Sequence, residues 1–236
     1  MPSYALCSPL LPDGIRAEIE RIGELRCVGI PRCADLPSPV DHHPDMLFFN
    51  PPCEKITVMQ ERYYTVNLRF FSQFGTSKTV LDRVELGSEY PRDIAFDAIG
   101  IRETLYCLEA YTSEEVKQRF SRIVNIKQGY AACSTLIPRG GIAITADKGI
   151  ERALAADGMT VCRISPDGIL LPGYGCGFIG GASAVVNGTT VFFGSLSDHP
   201  DGERIAEIYR VNGLGMIDFP GLPLTDYGSI RYIYTG

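Results

Sequence analysis

The chain has 236 residues, 45% of them hydrophobic and 21% charged, which is ordinary for a folded chain of one large or two small domains. The formal net charge is −6, the pI is near 5.1 and no cluster of Lys and Arg stands out, so a nucleic-acid or anionic-membrane partner is disfavoured. No stretch approaches the ~20 apolar residues of a membrane helix. The N-terminal MPSYALCSPLLPDG lacks the features of a signal peptide, and the eight cysteines are scattered without a CxxC pair. The expectation is a cytoplasmic protein with reduced thiols.

In chain order, Ile15, Ile19 and Ile22 mark a helix and RCVGI from Arg26 a strand. A missing first strand can come from the C-terminal YGSIRYIY, pairing with YALCSP. DMLFF from Asp45, KITVMQ from Lys55 and VLDRVEL from Val80 read as three strands; a helix between them is poorly marked, because Tyr63 to Phe74 is aromatic and β-branched. DIAFDAIGI from Asp93 turns at Arg102 and Glu103 into TLYCLE. Thr112 and Glu115 then give a capping-box spacing that opens the helix TSEEVKQRF, and RIVNIK closes the unit.

The next two units are the clearest. CSTLIP from Cys133 turns at Arg139, Gly140 and Gly141 into IAITAD, followed by the helical KGIERALAADG and by TVCRIS. ASAVV from Ala182 turns at Asn187 and Gly188, a strong hairpin signal, into TTVFFG, followed by GERIAEIYRVNG and MIDF. Strand, turn, strand, helix, strand therefore recurs five times at roughly 45 residues, a spacing typical of repeat architectures. The fold expected is α/β: one domain spanning residues 1–236, with five ββαβ units closed into a pseudo-fivefold α/β propeller by the C-terminal strand.

This pattern resembles the pentein fold of the guanidino-modifying enzymes: dimethylarginine dimethylaminohydrolases, arginine deiminases and amidinotransferases. FIGGASAVVNGTTVFFGSLS, from Phe178 to Ser197, is the most similar stretch. The chain also resembles a set of uncharacterised bacterial proteins classed with this fold. The motif order is informative: His43 in DHHPDMLFF, then Asp93 and Asp97 in YPRDIAFDAIGI, then Cys133 in QGYAACSTLI, with two further units after the cysteine. The order looks circularly permuted relative to the hydrolases, a change that a closed ring tolerates.

The resemblance implies a Cys-dependent hydrolase or transferase acting on a guanidino or amidino small molecule through a covalent thiol intermediate. Cys133 is the candidate nucleophile, although buried packing is the ordinary role of a cysteine. A thiolate at neutral pH needs a nearby positive charge, or the substrate's own, and the expectation is a depressed thiol pKa. His43 is the candidate general acid/base, with Asp41 or Asp45 to orient it. Asp97 or Asp93 could hold a cationic group, and Gly180 and Gly181 with Ser183 could let a ligand approach closely.

The family grips its guanidinium with carboxylates in the unit after the cysteine, where this chain has Gly180, Gly181 and Ala182; Asp226 is a loose replacement. The competing reading is a non-catalytic small-molecule-binding protein on the same fold, the gripping carboxylate lost. His199, in SDHPDGERI, is expected at the surface beside a helix cap. No third cluster at ligand spacing supports a metal, and no cofactor is implied. A small polar or cationic ligand is the expected partner, and the oligomeric state is open.

Overall fold

A computed structural model of the chain describes residues 4–75, 77–139 and 141–234. Gly140, in the expected turn after Arg139, lies outside the described residues. The elements run β1 (Tyr4–Cys7), α1 (Asp13–Gly23), β2 (Arg26–Gly29); α2 (Pro44–Leu47), β3 (Phe48–Phe49), β4 (Thr57–Gln60), α3 (Glu61–Val66), α4 (Leu68–Phe71), β5 (Thr79–Asp82); β6 (Ile99–Ile101), β7 (Thr104–Cys107), α5 (Glu114–Lys117), β8 (Arg122–Asn125). They continue β9 (Thr135–Arg139), β10 (Ile142–Thr145), α6 (Lys148–Ala156), β11 (Thr160–Arg163); β12 (Ser183–Val186), β13 (Thr189–Phe192), α7 (Gly202–Val211), β14 (Gly215–Ile217); and β15 (Ile230–Ile233).

The strands form five three-stranded sheets. In four of them the first two strands pair antiparallel and the third joins parallel to the second, after a helical crossover. The remaining sheet has the order β15-β1-β2: the C-terminal strand supplies its antiparallel member, in register Tyr4↔Ile233 to Cys7↔Ile230. The expected pairing of the two ends of the chain is therefore present.

Local sequence explains much of this. Asp147 caps α6 by accepting from the N–H groups of Gly149 and Ile150. Asn187 and Gly188 both have positive φ, as a two-residue hairpin turn of this hand requires. Ser113, not Thr112, caps α5, accepting from Val116 N–H, and that helix stops at Lys117. The aromatic stretch after Tyr63 is helical after all. Gln60 caps Tyr63 N–H, and Tyr63 and Phe71 pack edge-on against Phe48, so burial overrides weak propensity.

Two expected strands begin later than their sequences suggest. Asp45 to Leu47 is a helical turn, with Pro44 at its first position, and strand geometry starts only at Phe48. Likewise Asp93 to Ala98 is turn, and β6 starts at Ile99. Cys133 and Gly181 also stand in turns, each the second residue before the strand that follows.

Strands of two to five residues are too short to be stable alone. Stability comes from five buried apolar clusters, each joining at least two units. Leu6 and Ile30 meet Phe48 and Tyr63; Phe49 and Val58 meet Leu105 and Phe120; Ile99 and Tyr106 meet Ala143 and Ile150. Leu136 and Ile144 meet Phe192 and Ile205, and Ala184 and Val191 meet Ala5 and Ile15. Each Leu, Ile, Val or Phe side chain among them contributes about 1.5–3 kcal/mol when fully buried.

Polar contacts follow the same path. Asn50 mimics a strand partner for Tyr232, donating to its carbonyl at 3.0 Å and accepting from its N–H at 2.8 Å. Ser113 donates to Asp82, and Tyr232 Oη donates to Val185 O at 3.1 Å.

Candidate active site

The turns that precede the first strand of each unit meet one another. Asp45 N–H donates to Gly228 O, Gly181 N–H to Cys133 O at 3.0 Å, and the N–H groups of Tyr227 and Ser229 to Gly181 O. Asp97 Oδ1 accepts from the N–H groups of both Ala132, at 2.5 Å, and Cys133, at 3.1 Å. These bonds explain why the segments turn instead of extending: buried carboxylates and carbonyls capture backbone donors that a strand would use.

Cys133 is buried, and its Sγ lies 2.9 Å from Asp45 Oδ2. Potential ligand atoms of Asp45, Asp97 and Cys133 all lie within 4.8 Å of one another. The sequence offered no metal cluster; the fold assembles this one from three units, and a thiolate with two carboxylates is a donor set that a borderline divalent ion accepts. Among the described residues Asp45 Oδ1 and Asp97 Oδ2 have no hydrogen-bond partner, so the cluster has unused acceptors for any cation.

Beside the cluster opens a cavity of about 250 Å³. His43, Cys133 and Asp226 line its polar end, and Val40, Met46, Leu171, Phe178, Tyr130 and Tyr174 line most of the rest. Asp45 and Asp97 are fully buried behind Cys133 and do not line it.

The expected pairing of His43 with Asp41 or Asp45 is corrected. Asp41 faces Arg32 at 3.3 Å, and Asp45 faces the thiol. The carboxylate near His43 is Asp226, with Oδ1 3.7 Å from Nδ1. Asp226 is itself fixed by the N–H groups of Phe178 and Gly228, at 2.9 and 3.0 Å. A Cβ at Gly181 would overlap this carboxylate, so the glycine is what admits it. A carboxylate from the turn before β15 thus stands against the turn before β12.

Electrostatics also departs from expectation. The thiol is not depressed: burial, then the charges of Asp45, Asp97 and Asp226, push the Cys133 pKa well up. Burial, reinforced by Asp45, lifts Asp97 to about 8 and Asp226 to about 7. Burial also raises Asp45, against the opposing charge of Arg231. His43 is pushed down to about 3 by burial and by His42, so the ring is neutral and its contact with Asp226 is not an ion pair. Its Nε2 is buried and unpartnered.

The other expected site residues lie elsewhere. Asp93 accepts from Tyr130 Oη at 2.6 Å and so fixes a wall of the cavity without lining it. Ser183 and Gly180 face a second cavity, of about 260 Å³, and Ser183 Oγ donates to Ile179 O. His199 is buried, not at the surface: its Nδ1 accepts from Asp201 N–H at the start of α7. Tyr130 and Phe178 are cavity residues that sequence reasoning passed over; the signal available was an aromatic beside each small-residue turn, Gly129-Tyr130 and Phe178 before Gly180.

Comparison with known proteins fits this architecture. DDAH from Pseudomonas aeruginosa, a cysteine-to-serine mutant complexed with citrulline, superposes with a TM-score of 0.54 at 10% identity, over 93% of this chain and 92% of that one. A histidine-to-glycine dimethylarginine dimethylaminohydrolase, an adduct with S-methyl-L-thiocitrulline, gives 0.55 at 11% identity, over 93% of each chain. The fold is thus a mixed α/β fold of five three-stranded sheets, like that of the dimethylarginine dimethylaminohydrolases. The chain belongs to DUF6873, a family of unknown function, which it matches over residues 10–231. No curated protein matches it in sequence.

Proposed function

We propose that the protein is a Cys-dependent hydrolase or transferase acting on a guanidino or amidino small molecule. The observation that carries this reading is Cys133, its sulfur 2.9 Å from Asp45, at the end of a cavity that His43 and Asp226 also line. A thiol, a neutral imidazole and a cluster of buried acids suit a cationic electrophile. Asp226 holds the amidinium from the cavity side, and Asp45 takes the thiol proton as sulfur attacks the amidinium carbon. Seating the cation moves the proton that Asp226 carries near neutrality onto His43, 3.7 Å away, and the imidazolium gives it to the leaving nitrogen. Water, deprotonated by the same ring, then cleaves the carbon–sulfur bond and restores the thiol.

The resting thiol is neutral, and the substrate supplies the missing charge. A unit charge at about 4 Å with an effective dielectric near 20 is worth about 4 kcal/mol, or roughly 3 pK units at 1.36 kcal/mol each. A seated cation therefore works directly against the burial and the acids that hold the thiol neutral.

The same reading takes the chain as one domain of five repeats closed into a ring, because the apolar clusters and polar contacts link each unit to the next and the fifth to the first. It takes the motif order as a circular permutation of the hydrolases. Eight free cysteines suit a reducing compartment such as the cytoplasm. The second reading, a binding protein without turnover, is favoured by one observation: without a ligand nothing activates Cys133.

Labelling with chloroacetamidine and with neutral chloroacetamide, followed by peptide mapping, separates them. The expected result is selective, fast modification of Cys133 by the amidine alone. Equal rates for the two reagents, or label spread over the other cysteines, would remove the catalytic reading.

A further inference from the structure

We infer that the cavity beside Cys133 takes guanidines or amidines whose tail is uncharged and apolar, and discriminates against those whose tail carries a carboxylate. This rests on the proposed cation site and names its substrate class.

The lining is divided by polarity. His43, Cys133 and Asp226 are its polar groups, and Val40, Met46, Leu171 and Phe178 make most of the rest apolar. Tyr130 and Phe178 stand with ring centroids 5.9 Å apart, and Tyr174 is half exposed beside them. The Tyr130 hydroxyl is already committed, donating to Asp93. Aromatic faces of this kind tolerate a cation and an alkyl chain, and offer an anion nothing.

No Lys or Arg lines the cavity among the described residues, and none of the residues outside that set is basic. The guanidinium closest to the acids in effect is Arg231, which acts on Asp45 and Asp97. It lines the second cavity instead, and is tied to Phe48 O at 3.1 Å and Ile230 O at 2.9 Å. A ligand carboxylate would thus lose its water without gaining a countercharge. Burying an unpaired carboxylate is costly, whereas an alkyl tail gains about 0.8 kcal/mol per buried methylene. The volume of about 250 Å³ lies below the ~300–1,000 Å³ of pockets for drug-sized ligands, so the tail is short.

Four probes test this: n-butylguanidinium, 4-guanidinobutyrate, L-arginine and the neutral n-butylurea. Binding is read by calorimetry on Cys133→Ser protein, and by shift in melting temperature on the unmodified protein should that variant fold poorly. The expected result is that n-butylguanidinium binds at least about tenfold tighter than each of the other three, which is ~1.4 kcal/mol. If 4-guanidinobutyrate or L-arginine binds as tightly as n-butylguanidinium, the inference is overturned while the cation site stands. If n-butylurea binds as well as n-butylguanidinium, or no guanidine binds at all, the cation site itself fails and the inference goes with it.

Discussion

Asp226 occupies the space that a side chain at Gly181 would fill, and from there its carboxylate reaches His43. The two residues lie 45 positions apart in sequence and in different sheets. Together they make one acidic position out of two turns.

The first prediction concerns this pair. Gly181→Ala forces its Cβ into the Asp226 carboxylate, and overpacking of this kind costs about 1–3 kcal/mol. Urea unfolding should show that loss, and amidine-directed labelling of Cys133 should slow. The double change Gly181→Asp with Asp226→Gly returns a carboxylate to the same region. Partial recovery of labelling is expected; a double variant no better than Gly181→Ala would mean that the position of the acid is immaterial.

Stability should fall with rising pH near neutrality. Asp97 goes from 3.8 to about 8 on folding and Asp226 from 3.8 to about 7, so each contributes stability that is full below 3.8 and lost as pH rises through the folded value. His43 acts oppositely: lowered from 6.5 to about 3, it contributes stability above 6.5 that is lost as pH falls towards 3. Above about pH 6.5, then, only the carboxylates matter. At 1.36 kcal/mol per pH unit for each proton, Asp97 alone accounts for a decline of about 2 kcal/mol towards pH 8. Asp97→Asn keeps the acceptor for Ala132 and Cys133 and should flatten the slope; an unchanged slope assigns it elsewhere.

The chemistry proposed for Cys133 needs no metal, yet Asp45, Asp97 and Cys133 could hold one. Protein dialysed against EDTA should label with chloroacetamidine at the same rate as untreated protein. A rate that changes several-fold, and is restored by one divalent ion, would identify the cluster as a metal site.

Asn50 links the second sheet to the C-terminal strand through paired bonds to Tyr232, with a further bond to Ile56 O. Asn50→Ala leaves the Tyr232 N–H and Ile56 O without this partner, whereas Tyr232 O keeps the Thr57 hydroxyl, and each bond lost at this half-buried position is worth about 0.5–1.5 kcal/mol. The expected result is loss of about 1–3 kcal/mol in a single cooperative transition. Two separate transitions would show that the first sheet is not integral to the rest.

Much of the fold was legible. Asn187-Gly188, the Asp147 cap and the β-rich runs at both ends carry their geometry locally, and the repeat they define led to β15 pairing with β1. Cys133, Asp45 and Asp97 could be nominated because each stands just before an apolar run. What escaped was non-local. Nothing near His43 in sequence indicates that Asp226 is its neighbour, and nothing near Ser183 indicates that its hydroxyl is spent on Ile179 O. The late start of β3 escaped for the same reason, since the Asp45 N–H is held by Gly228 O from another unit, whereas the turn before β6 is closed within its own unit by Ile94 O and Phe96 O.

Each polar group of the cavity comes from a different turn, so the pocket has no existence apart from the whole assembly. No fragment of one or two units contains it. A ligand that bridges Cys133, His43 and Asp226 therefore joins three stretches of chain, and its binding free energy adds directly to the stability of the fold by RT ln(1 + [L]/Kd). Saturation at a hundredfold excess over Kd is worth about 2.7 kcal/mol. Melting temperature is for that reason a direct assay of occupancy, usable before any turnover is detected.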